Sequence, residues 1–233
     1  MDLSKKYDFI CSAWFQVVIN YCNIYSLIEK NKLKSDFFAS RFLNLDSNKA
    51  LSEFSKILSL ELLEINMNFF NYLQSCHILL ERLGKFEKNY DANFEKDFKI
   101  LQENKHAIIK MMNELRNGIH HHTESFLIVG QPKELLSNQL RKMNYEFLLS
   151  KTNLSTALGL VENYRKENNK KKHKLISRDF KEIRKFIEDT SISGEYSKQE
   201  ISFEKIFKLH LFELRKYFQE FERLLKEMLK RKK

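Results

Sequence analysis

The sequence predicts an all-α fold, an elongated helical bundle that ends in a long C-terminal amphipathic helix. Three observations support this. Five glycines and one proline in 233 residues leave almost no turn-formers for a many-stranded sheet. Apolar residues recur at spacings of three and four along most of the chain. The apolar set is rich in phenylalanine, 20 against one tryptophan, which suits helix faces filling a shared core. The chain is long enough to bury such a core, and residues 1–233 read as a single domain.

Tyr7 to Glu29 reads as the first helix, with Ile10, Trp14, Val17, Val18, Tyr21 and Tyr25 on one side. Aromatic rings at helical spacing are read as core rather than as base-stacking platforms. A short helix is predicted over Phe37 to Leu43, capped by Asp36. Ser47 then caps a long helix to about Leu83 that stops at Gly84. Ile57, Leu58, Leu62, Ile65, Phe69, Tyr72, Leu73 and Leu80 make its apolar face, while Glu61 and Glu64 read as solvated charges. Asp91 caps the next segment, which carries Phe94, Phe98 and Leu101 and leads into a helix from Lys105 to Ile119. Phe126 and Leu127 continue the apolar pattern until Gly130-Gln131-Pro132 ends it. Pro132 suits the first turn of a following amphipathic helix with Leu135, Leu136, Leu140, Met143, Phe147 and Leu148 inward. Asn153 to Tyr164 supplies another, with Leu154, Leu158 and Val161 inward.

Residues 168–175 are expected to be an exposed basic loop and 190–201 a second loop containing Gly194. The last helix spans 202–233, with Ser202 as its cap. Phe203, Phe207, His210, Leu214, Tyr217, Phe221, Leu224 and Met228 form a coiled-coil-like seam. It packs within the monomer or against a second copy. His210 reads as a half-buried polar residue that sets register, not as a ligand.

The net charge is +10 at pH 7, which favours a polyanionic partner, RNA before an anionic membrane surface. Arg165 to Lys185 concentrates it, with ten Lys and Arg against three Asp and Glu. Lys170, Lys171, Lys172 and Lys174 are the candidate RNA contacts; such lysines anchor a phosphate backbone without reading sequence. Cys11, Cys22 and Cys76 are an odd number in no ligand spacing, read as small hydrophobes in a reducing compartment. The N-terminal apolar run is broken by Ser12, Gln16 and Asn20, too polar for a signal peptide or a membrane span. A soluble, cytoplasmic protein with no membrane partner is expected.

One stretch looks like chemistry: Leu115-Arg116-Asn117-Gly118-Ile119-His120-His121-His122. Its helix carries Ile108, Met111, Met112, Leu115 and Ile119 on one side. At about 100° per residue, with Arg116 as zero, Asn117 lies near 100°, His120 near 40° and His121 near 140°. These four share a polar face roughly opposite the stripe, while His122, near 240°, falls on it. An imidazole with an ordinary pKa of roughly 6.5 can take a proton from a ribose 2′-OH. A guanidinium can hold the scissile phosphate and its developing charge, and Asn117 can orient either group. The internal 2′-OH is already the nucleophile, so this chemistry needs no metal and no cofactor. Adjacent His residues project in different directions from a helix, so His120 to His122 are not read as a metal site.

Arg-Asn-x-x-x-His-His in an all-helical, Lys-rich chain resembles the HEPN superfamily (higher eukaryotes and prokaryotes nucleotide-binding). The family motif is Arg, a polar residue, then His after a gap of four to six residues. Arg116 and Asn117 match its start; His121 fits a gap of four and His122 a gap of five. The resemblance covers about eight residues. It implies a metal-independent endoribonuclease, a homodimer with a composite active site, and a role in prokaryotic host defence, abortive infection or a toxin-antitoxin system. In that reading His121, or else His122, is the base. An antitoxin or other defence-system partner is also implied. In the branch whose antitoxin is a nucleotidyltransferase, a Tyr follows two residues after the motif His; here Thr123 or Glu124 stands there. Two other classes fit part of the sequence. One is a non-catalytic HEPN-like RNA-binding or protein-interaction module. The other is a helical protein that dimerises through Phe203 to Met228.

Overall fold

The computed structural model describes the backbone of residues 3–42, 47–86, 92–121, 129–132, 145–189 and 200–231, and the side chains of these except 31–59, 61–62, 118–121, 129–132, 145–146 and 170. Helices dominate, in the order α1 (Leu3–Phe42), α2 (Ser47–Phe86), α3 (Ala92–Glu103) and α4 (Ala107–His121), then α5 (Lys151–Asn168), α6 (His173–Glu188) and α7 (Phe203–Arg231). A small antiparallel sheet joins them, with strands β1 (Val129–Pro132), β2 (Tyr145–Ser150) and β3 (Glu200–Ser202) in that spatial order. Val129 pairs with Leu148, and Leu149 with Ile201. No helix among the described residues is long and apolar enough to cross a membrane.

α1 and α2 form an antiparallel hairpin. Arg82 Nη1 donates to the Phe9 carbonyl at 2.6 Å, and Asn20 Nδ2 donates to the Asn71 carbonyl at 3.3 Å. α1 runs straight through Asp36, which is therefore not a cap; no Gly or Pro interrupts the segment, so nothing stops the helix. α2 likewise passes Gly84 and ends at Phe86. The buried Phe86 ring packs edge-on against Phe94 and Phe221. Burying a phenylalanine outweighs the roughly 1 kcal/mol that a helical glycine costs. Between Phe86 and α3, Asp91 lies outside the described residues.

α7 supplies the spine of the core. All eight residues of its predicted seam, Phe203 to Met228, are buried inside the chain. The seam therefore packs within the monomer, which removes it as a dimerisation face. Phe221 meets Phe86, Phe94 and Phe98 at centroid distances of 5.2, 6.4 and 5.6 Å. Trp14 stacks on Phe218 at 5.1 Å and Tyr21 on Phe207 at 4.5 Å, so these two rings pack on the core, while Phe9 and Phe15 of the same helix are exposed. His210 is fully rather than half buried, and its Nδ1 shares a 2.8 Å hydrogen bond with the Tyr72 hydroxyl. Of the cysteines, Cys76 is buried but Cys22 is exposed, so Cys22 is no core hydrophobe.

The sheet corrects the reading of the middle of the chain. Pro132 closes β1 instead of opening a helix, and Phe147 and Leu148 lie in β2. Phe147, Leu148 and Leu149 are buried in succession, so both faces of the central strand are covered. Such a continuous apolar run does not distinguish strand from buried helix by periodicity. Pro132 is tolerated because β1 is an edge strand. Leu135, Leu136, Leu140 and Met143, like Phe126 and Leu127, fall outside the described residues. The expected loop at 168–175 is a tight joint: Asn169, a 3-10 turn over Lys170–Lys172, and α6 from His173. His173 Nε2 donates to the Lys166 carbonyl at 2.8 Å across it. Of the expected 190–201 loop, Glu200 and Ile201 belong to β3, and α7 begins only at Phe203.

Candidate active site

α4 is the helix on which the Arg-Asn motif sits, and it is central: α2, α5, α6 and α7 all pack on it. Its start is fixed by His106, whose Nδ1 accepts from the Ile108 N–H at 3.3 Å while its ring lies edge-on to Phe186. Ile108, Met111, Met112 and Leu115 are buried, as the spacing predicts, and so is Ile109, which the predicted stripe does not include. The flank bearing Arg116 and Asn117 differs from expectation. It is half-buried, because four packed neighbours cover more of α4 than one apolar stripe implies.

Half-buried polar groups must find partners, and here they form a connected chain. Arg116 Nε donates to Gln74 Oε1 on α2 at 2.9 Å, and its Nη1 donates to Asn117 Oδ1 at 3.2 Å. Asn117 Nδ2 donates to Glu114 Oε2 at 3.3 Å. The other Glu114 oxygen takes an ion pair from Arg165 on α5. Glu114 is only 5% exposed. Burial pushes its carboxyl pKa above the usual range, opposed by the Arg165 charge and by the Asn117 hydrogen bond. One turn back along α4, Asn113 Oδ1 lies 2.9 Å from His77 Nδ1 on α2. The guanidinium is thus oriented from two sides, by Gln74 and by the Asn117–Glu114–Arg165 relay.

Beside this network lies an open cleft of about 570 Å³ between α2, α3, α4, α5 and α6. Leu80, Ile109, Leu175 and Ile183 give it apolar walls. Its charged rim holds Lys99, Lys105, Lys110, Arg165, Lys172 and Arg178 against Glu103, Glu114 and Asp179, an excess of cations. Lys110 bridges α4 to α6 through Asp179 at 2.8 Å and Glu182 at 2.6 Å. Burial opposes its charge, but those two carboxylates raise its pKa.

Comparison with protein-family models, curated proteins and solved structures finds no match. The residues themselves must therefore carry the functional reading. Of those the sequence singles out, Arg116 and Asn117 are brought together and bonded to each other. His121 is the last residue of α4, one turn beyond Asn117; its side chain is not among those described, and His122 lies outside the described residues. Lys171 and Lys174 are exposed and Lys172 lines the cleft, while Lys170 falls in the 3-10 turn. Other cations of the basic segment are engaged within the chain: Lys166 and Arg184 both pair with the buried Glu162. Gln74, His77, Asn113 and Glu114 are partners that the sequence reading does not name, and Arg165 enters it only as one cation of the basic segment. The one local signal was Glu114, a carboxylate two residues before Arg116 on a helix whose inward side is otherwise apolar.

Proposed function

We propose that this chain is a HEPN-type, metal-independent endoribonuclease that cuts RNA through its own 2′-OH, acting in prokaryotic host defence or a toxin-antitoxin or abortive-infection system. One observation supports this reading above the rest. The motif guanidinium is held by Gln74 and Asn117 in a fixed pose on α4, and the same helix continues to His121. An oriented guanidinium is what stabilising a pentavalent phosphorane requires.

In the proposed step His121, with His122 as second choice, takes the proton from the 2′-OH. The 2′ oxygen forms a new bond to phosphorus as the bond to the 5′ oxygen breaks. Arg116 holds the non-bridging oxygens and Asn117 orients it. The products carry a 2′,3′-cyclic phosphate and a free 5′-OH. Two copies of the motif face each other across a homodimer cleft. Lys170, Lys171, Lys172 and Lys174 hold the flanking strand by its phosphates.

Cleavage of total RNA in EDTA by the purified protein tests this. Arg116→Ala and His121→Ala are each expected to slow it by about 100-fold or more. An inert wild type, or variants that cut equally well, overturns the reading. The non-catalytic binding module gains from one observation, that the guanidinium already serves α2–α4 packing through Gln74 and is held by Asn117 on its own helix. In that case Arg116→Ala lowers the melting temperature and leaves RNA uncut by either protein.

A further inference from the structure

Two rungs tie α2 to α4. Gln74 bonds Arg116, and three residues on along α2, His77 bonds Asn113, three residues back along α4. At 1.5 Å rise per residue the rungs are about 5 Å apart, roughly the breadth of a phosphate group. Asn113 of the second rung and Leu80, one turn past His77 on α2, line the cleft, and His77 and Arg116 lie beside it. An amide oxygen only accepts, so the His77 ring donates from Nδ1, and Nε2 takes no part in that bond. His77 is half-buried, so the ring is anchored without being sealed away. Two carboxylates lie within its Coulombic reach: Glu81 one turn along α2, whose pKa is lowered chiefly by Lys85 and further by His77 and Arg116, and Glu114.

Cleavage by 2′-OH attack needs two proton transfers, one from the 2′ oxygen and one to the departing 5′ oxygen. The proposed function assigns a group only to the first. We infer that His77 is the general acid: doubly protonated, it gives the Nε2 proton to the 5′ oxygen as the P–O5′ bond breaks, on the same protomer and the same phosphate as Arg116. It leaves the step as the Nδ1–H tautomer held by Asn113, and water returns the Nε2 proton before the next turnover. Glu81 and Glu114 supply negative charge beside the cationic ring. This assignment rests on the ribonuclease reading.

The test compares RNA with uridine 3′-(4-nitrophenyl phosphate), whose nitrophenolate leaves without being protonated. His77→Asn is expected to slow RNA cleavage by about 100-fold or more and to cut the nitrophenyl ester within about threefold of wild type. His121→Ala is expected to lose both activities. His77→Gln gives a second neutral replacement should His77→Asn fail to fold, with circular dichroism as the check. If a folded His77 variant loses both substrates equally, or neither, His77 is not the acid, while the ribonuclease reading stands. If the wild type cuts neither substrate, the ribonuclease reading itself fails.

Discussion

Two of the polar sites in this core are built in opposite ways. Where α2 meets α7, Tyr72 and His210 share a hydrogen bond inside a shell of aromatic rings, with Phe207 4.8 Å from the Tyr72 centroid. Burial keeps both neutral: it holds the phenol well above its usual pKa and pushes the imidazole down to about 3. Where α2 and α5 meet α4, the polar groups are Glu114, Arg116, Asn117 and Arg165, and most of them carry charge beside an open cleft. Full enclosure favours a neutral pair that fixes how helices meet. Partial enclosure lets charges be oriented yet still reach a ligand. In the proposed function the first kind of site belongs to stability and the second to chemistry.

Breaking the first site should have the largest effect. Phe207 stacks on Tyr21, meets Tyr72 edge-on and lies against Phe203, all inside the core. Phe207→Ala should cost about 3–5 kcal/mol, read from the denaturant midpoint. A loss under about 1 kcal/mol would mean that the rings can collapse into the gap and that the pair does not depend on its shell.

Acid should undo the same site through His210. Its folded pKa of about 3 lies below the unfolded value, so the unfolded chain binds the extra proton between those limits. The contribution is therefore complete above the unfolded pKa and lost as pH falls. Between pH 7 and pH 5 the wild type should lose about 2 kcal/mol more than His210→Gln. Parallel stability curves for the two proteins would show that His210 does not report on enclosure.

How much of this was legible in the sequence follows the same division. The α7 seam could be read because its residues alternate at spacings of four and three and all answer to one demand, burial. The α4 stripe was readable for the same reason, but its polar flank was not, since the bonds of Arg116 depend on where α2 lies. His77 and Asn113 are far apart in sequence and share no spacing, so only packing pairs them. β2 was misread as helix because three consecutive buried residues carry no period. The basic segment was read by its charge alone. Charge does not show that Lys166 and Arg184 close on a buried Glu162 while Lys171 and Lys174 stay in solvent.

The smallest expected change in stability is also the sharpest test of the contrast. Glu114→Gln removes a charge that is 5% exposed and keeps an oxygen for Asn117. Breaking a buried pair usually costs several kcal/mol because the remaining charge is stranded. Here the remaining partner is Arg165, whose side chain keeps 37% of its surface in solvent, so it can rehydrate. The lost carboxylate was itself disfavoured by burial, which returns part of the cost. Stability should therefore move by less than about 1 kcal/mol. RNA cleavage should fall by about tenfold or more, because the relay that steadies the guanidinium loses its negative end. A loss of about 2 kcal/mol or more with cleavage intact would make Glu114 a structural strut of the Tyr72–His210 kind, and the division between the two sites would fail.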